Sequence, residues 1–154
     1  MDASAIVDFL LHRRDATVLA AALGRPDIDL HAPSLCDVEV AAAIRTALLL
    51  GRVGTLEEAT AIAGDLVGLP IERYEHGPLL DQILELRDNF SAYDASYVAL
   101  AEALGVSLLT ADRRLAAATR AHTGVNVHLT STGQKATESG RSMPKIVAMS
   151  ETLT

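Results

Sequence analysis

The most constraining feature of this chain is a rhythm. Short apolar runs that read as strands alternate with longer stretches rich in Ala and Leu that read as helices. Strand-like runs fall at residues 28–32, 70–74, 106–110 and 125–129. Helical patterns are predicted over 3–14, 16–23, 34–50, 55–67, 78–87, 91–104 and 112–121. Stop signals agree with this division, since Gly24, Gly51 and Gly105 each follow a helical run. Three helix starts carry the spacing of a capping box: Ser34 with Asp37, Thr55 with Glu58, and Ser91 with Asp94. Strands separated by helices imply a parallel sheet wrapped by helices, an α/β fold.

Composition narrows the reading. Hydrophobic residues make up 49% of the 154, yet aromatic residues only 3%. The core must therefore be built from Ala, Leu, Val and Ile. The apolar faces around 48–50 and 56–67 could be core or dimer surface, and core is the expectation for most of them. No run reaches the roughly 18 apolar residues of a membrane span, and no secretion signal opens the chain. The single cysteine, Cys36, excludes an internal disulfide and a cysteine metal site, and fits a reducing cytoplasm. A net charge of −7 argues against binding nucleic acid by bulk electrostatics. It leaves a nuclease open, because carboxylates that hold a metal ion reverse the local field. Residues 130–154 are rich in Ser, Thr and Gly and hold both lysines, Lys135 and Lys145. They are expected to form a flexible tail, leaving 1–129 as one domain.

In a parallel α/β sheet, ligands bind beyond the carboxyl ends of the strands. Four acids fall there. Asp112 follows the run 106–110, Glu39 lies early in the helix after 28–32, Asp94 is at the third helical position after Ser91, and Asp2 immediately precedes the first helix. Clustered carboxylates suit Mg²⁺ or Mn²⁺, which take hard oxygen ligands. Such ions can activate water and stabilise charge in phosphodiester hydrolysis. Taken singly, Asp2, Asp94 and Asp112 also fit ordinary helix-start residues stabilised by the helix dipole. Glu39 sits among Leu35, Val38, Val40, Ala42 and Ala43 and reads as partly buried, a costly place for a carboxylate without a partner. Ser4 and Thr110 are placed to support the acids, Ser4 on Asp2 and Thr110 on Asp112. Arg13, Arg14, Arg45, Arg113 and Arg114 could hold phosphates, and each could equally sit on a solvated face.

These residues resemble a family. The stretch 2–7 (Asp-Ala-Ser-Ala-Ile-Val) is similar to the opening motif of PIN-domain proteins, an Asp followed two residues on by a hydroxyl. The stretches 32–41, 93–101 and 108–115 resemble the second, third and fourth motifs, carrying Glu39, Asp94 and Asp112 in the same order. The resemblance covers about residues 1–129. It implies a three-layer α/β/α domain and a VapC-type toxin of a toxin–antitoxin pair. Such a protein would be an Mg²⁺- or Mn²⁺-dependent endoribonuclease, a homodimer, silenced by a small antitoxin that occupies the active-site groove. By the resemblance Asp2 and Asp94 would be the principal metal ligands, with Glu39 and Asp112 completing the acidic pocket. Only Met1 precedes Asp2, where the family has an apolar strand at the centre of the sheet. That strand is expected to be truncated or missing, from a chain shortened at its start. A gap between neighbouring strands should result, leaving Asp2 free to wander. The competing reading is a PIN-fold binding module that has lost catalysis through this incomplete strand.

Overall fold

The computed structural model describes residues 1–12 and 18–130. Arg13, Arg14 and the expected tail beyond Thr130 lie outside the described residues. The elements, in order, are α1 (Ala3–Val7), a π-helical turn (Asp8–His12), α2 (Val18–Leu23), β1 (Leu30–Pro33), α3 (Leu35–Leu49) and α4 (Leu56–Gly68). There follow β2 (Ile71–Tyr74), a 3-10 turn (Gly77–Leu79), α5 (Leu80–Glu85), α6 (Ala92–Leu104), β3 (Leu108–Thr110), α7 (Arg113–His122) and β4 (Val127–Leu129). The predicted rhythm is present throughout, with strands a residue or two shorter than their apolar runs.

Two of the three capping signals work as the sequence suggests. Thr55 Oγ1 accepts the Glu58 N–H at 3.1 Å, and Glu58 Oε2 accepts the Gly54 N–H at 2.8 Å. Ser91 caps α6 through the Asp94 N–H at 3.1 Å, and α6 ends at Gly105, whose φ of 65° is the left-handed conformation that glycine adopts without a Cβ penalty. The third differs: Ser34 makes no side-chain cap. Its hydroxyl donates instead to the Tyr74 carbonyl at 3.1 Å, while Asp37 is taken by Arg73 at 3.2 Å.

Each pair of neighbouring strands is parallel. β1 pairs with β2, Leu30 opposite Ile71 through Pro33 opposite Tyr74. β3 pairs with β4, Leu108 opposite Val127 through Thr110 opposite Leu129. The start of the chain lies between the pairs. The Met1 ammonium donates to the His31 carbonyl on β1, and the Asp2 N–H donates to the Leu109 carbonyl on β3 at 2.8 Å. The lateral order is thus β2, β1, residues 1–2, β3, β4. Residues 1–2 form no strand of their own. The expected gap, however, is bridged by backbone hydrogen bonds on both sides. Asp2 is extended (φ −87°, ψ 152°) and only 7% exposed, so it is pinned rather than free to wander.

Helices pack in two groups about these strands, giving the three layers. α3 contacts α1 and α4, the π-helical turn contacts the same two helices, and α1 also meets β3. α6 lies on β1 and β3 and carries α5 with it. The core is as aliphatic as the composition requires: Ile6, Leu19, Val40, Val98 and Leu108 are fully buried, with Ala5, Ala32, Ala95 and Ala99 between them. Each large aliphatic side chain contributes about 1.5–3 kcal/mol by leaving water. The faces at 48–50 and 56–67 meet the expectation only in part. Ala59 and Leu66 are buried and Leu48, Ile62 and Ala63 pack against the core, while Leu49, Leu50, Leu56 and Val67 are exposed, Val67 to 78%. α4 lies on the surface with one buried stripe, so its remaining apolar residues face outward. Among the described residues no helix is long and apolar enough to cross a membrane.

Candidate active site

At the carboxyl ends of β1 and β3, one cleft of about 460 Å³ is lined by Asp2, Ser4, Asp8, Glu39, Asp94 and Asp112. All four acids singled out in the sequence therefore meet one opening. The parallel topology explains this: the chain leaves each of these strands at the same edge and turns into the helix that carries the acid. A larger cavity of about 570 Å³ lies at the opposite ends of β3 and β4, between Ser107, Asn126, Arg120 and His128. It contains no carboxylate.

Each acid is held by a partner. The Asp2 carboxylate accepts the Ser4 hydroxyl, the Thr110 hydroxyl at 2.8 Å and the Ser4 N–H at 3.3 Å. Ser4 Oγ in turn accepts the Ala111 N–H at 2.8 Å and the Asp112 N–H at 3.2 Å, tying α1 to the end of β3. Ser4 thus supports Asp2 as its spacing suggests. Thr110 does not support the Asp112 carboxylate. Its hydroxyl serves Asp2 and accepts the Asp112 backbone N–H at 2.9 Å. Asp112 caps α7, with Oδ1 accepting the N–H groups of Arg114 at 2.7 Å and Leu115 at 3.2 Å. Asp94 Oδ2 accepts the Ser91 hydroxyl at 2.9 Å. Glu39 Oε2 accepts the hydroxyl of Tyr97, which reaches from α6 to α3.

Burial lifts the Glu39 carboxyl above its ordinary range. The Tyr97 hydrogen bond opposes that rise, and the charges of Asp2 and Asp94 add to it. Burial, and next its bond to Glu39, push the Tyr97 phenol upward.

The four carboxylates surround the cleft without closing on a point: among the described residues, no three acid, His or Cys side chains stand close enough together to hold one ion. Each carboxylate is instead taken by a nearby donor: Ser4, Thr110, Tyr97, Ser91 or the first turn of α7. As a donor set, carboxylates alone fit a hard divalent cation.

Two residues escaped the sequence reading, Asp8 in the cleft and Tyr97, which bonds the Glu39 that lines it. Asp8 is buried. It stands four residues after Ser4, the spacing that puts two side chains on one helical face. Tyr97 stands three after Asp94 on the same helix, and its rarity in a chain with three tyrosines and two phenylalanines was a usable signal. Arg113 and Arg114 are exposed beside Asp112.

Comparison with known proteins agrees with this arrangement. The sequence model of the PIN domain matches residues 1–121. Ribonuclease VapC1 of Mycobacterium tuberculosis (strain ATCC 25618 / H37Rv) is 43% identical over 119 residues, covering 77% of this chain and 88% of that protein. Ribonuclease VapC9 of the same strain is 43% identical over 115 residues, covering 75% and 86%. The crystal structure of PAE2754 from Pyrobaculum aerophilum superposes with a TM-score of 0.56 at 24% identity, over 82% of this chain and 79% of that one. At that identity it speaks for the fold alone. The chain belongs to the PIN-domain family, in its VapC branch.

Proposed function

We propose that this chain is a divalent-metal-dependent endoribonuclease, acting as the toxin of a toxin–antitoxin pair. One observation carries the reading: Asp2, Glu39, Asp94 and Asp112, four acids far apart in sequence, line a single cleft at the carboxyl edge of the sheet. The names of its relatives, ribonucleases VapC1 and VapC9, supply the substrate class. Asp2, Asp94, Glu39 and Asp112 would hold Mg²⁺ or Mn²⁺, which supplies an activated water and neutralises charge at a phosphodiester.

The chain's own residues prepare that chemistry. Ser4 and Thr110 fix the Asp2 carboxylate against the end of β3, so that it is oriented before any ligand arrives. Asp112 is held by the α7 backbone through Oδ1, the only one of its oxygens engaged among the described residues. Arg113 and Arg114, exposed at the start of α7, would hold RNA phosphates beside the acids. No side-chain nucleophile is required. A small antitoxin protein, a homodimeric state and a cytoplasmic setting belong to the same proposal and rest on the VapC likeness.

The test is RNA cleavage by the full chain in Mg²⁺ or Mn²⁺, in EDTA, and with Asp94→Asn. Cleavage should require metal and fall by at least two orders of magnitude in Asp94→Asn, with the circular dichroism spectrum retained. Full activity in EDTA, or equal activity in the variant, would overturn the metal mechanism.

A further inference from the structure

Tyr97 is 3% exposed, with its ring in the core and its hydroxyl bonded to Glu39, which lines the cleft. A buried phenol needs an acceptor for its O–H. Here the acceptor is Glu39 Oε2, on a different helix and 58 residues away. Glu39 is the longest acid of the cleft, and immobilising a glutamate side chain costs up to about 1.5–2 kcal/mol in rotamer entropy. A donor fixed in the core removes part of that cost before a ligand binds. Asp94 and Tyr97 also share α6. One rigid helix therefore presents an acid of the cleft and, one turn on, the group that holds a second acid.

We propose that Tyr97 is a positioning residue whose hydroxyl holds the Glu39 carboxylate at the cleft and so sets the affinity of the site for divalent metal. This rests on the reading of Glu39 as a metal ligand. It goes beyond that reading by giving a function to a side chain that would otherwise count as core. The Asp2 pair, Ser4 and Thr110, performs the matching task on the other side of the cleft.

The experiment is calorimetric titration of the full chain with Mn²⁺, using wild type, Tyr97→Phe, Glu39→Gln and the double variant. Phenylalanine keeps the ring and removes only the hydroxyl. Tyr97→Phe should weaken Mn²⁺ binding about 10–100-fold, the range seen when a group orienting a ligand is lost. In the Glu39→Gln background the same change should cost nothing further. RNA cleavage by Tyr97→Phe should reach the wild-type rate once Mn²⁺ is saturating, because the ligands themselves are intact. Wild-type affinity in Tyr97→Phe would overturn the assignment and leave the metal reading standing. An equal loss in both backgrounds, or a Tyr97→Phe chain that does not fold, would show a purely structural hydroxyl and overturn it too. A wild type that binds no Mn²⁺ would refute the metal reading and the assignment together.

Discussion

Thr110→Val tests whether the acidic cleft is held in advance by hydroxyl groups. Thr110 is fully buried, and valine has nearly its shape, so the change removes one hydroxyl and leaves no cavity. That hydroxyl donates to Asp2 Oδ2 at 2.8 Å, accepts the Asp112 N–H at 2.9 Å and lies 3.1 Å from Ser4 Oγ. A hydrogen bond to a charged group is worth about 1.5–3 kcal/mol net. Two partners soften the loss. Ser4 still serves Asp2, and the Asp112 N–H still reaches Ser4 Oγ at 3.2 Å. The expected cost is therefore about 2 kcal/mol, near the lower part of that range. For a domain of this size that corresponds to a fall in melting temperature of about 8 °C. Thermal melts in EDTA measure it without interference from bound metal. Thr60→Val is the control: its hydroxyl donates to the Leu56 carbonyl at 2.8 Å on an exposed helix face, where changes stay within about 0.5 kcal/mol. In an Asp2→Asn background the cost of Thr110→Val should drop by about 1 kcal/mol, because the bond is no longer to a charge. If Thr110→Val melts within a degree of wild type, the hydroxyl does not hold Asp2 and the argument for a prepared site fails.

Two further outcomes follow from the same geometry. In metal-free protein Asp112→Asn should melt at or above wild type, because Asn caps a helix as well as Asp and removes one charge from the crowd of acids. Asp112→Ala should lose about 1 kcal/mol by leaving the Arg114 and Leu115 N–H groups uncapped, and an Asn variant as unstable as the Ala variant would rule out repulsion among the acids. Cys36 is fully buried, and its thiol is pushed up to about 12, first by burial and then by the neighbouring charge of Asp37. At pH 8.5 iodoacetamide should label it only after unfolding, and labelling of the native chain at the rate of a free thiol would contradict its burial.

Much of this was legible because it is local. The caps at Thr55 and Ser91 need only residues three apart, and the helix–strand rhythm alone puts Glu39, Asp94 and Asp112 at the edge where parallel strands end. What escaped depends on partners far away in sequence. Ser34 has the right spacing for a cap, yet the Tyr74 carbonyl, 40 residues on, takes its hydroxyl. Thr110 is adjacent to the loop that carries Asp112, yet its hydroxyl turns to Asp2, 108 residues back. Tyr97 carries no periodic signal that distinguishes a core ring from one whose hydroxyl meets a distant acid.

The start of the chain shows why the sheet argument located Asp2 correctly and misjudged what holds it. A full central strand would bury aliphatic side chains worth about 1.5–3 kcal/mol each. Strand contacts alone would leave Asp2 with nothing to fix it. The structure holds Asp2 by other means: one backbone hydrogen bond to Leu109 and two hydroxyl groups on its carboxylate, one from two residues ahead and one from the end of β3. The backbone bond fixes where the residue sits in the sheet. The hydroxyls fix where its charge points. Placement and orientation are thus supplied by different groups, and orientation bears more directly on a cleft that must gather acids.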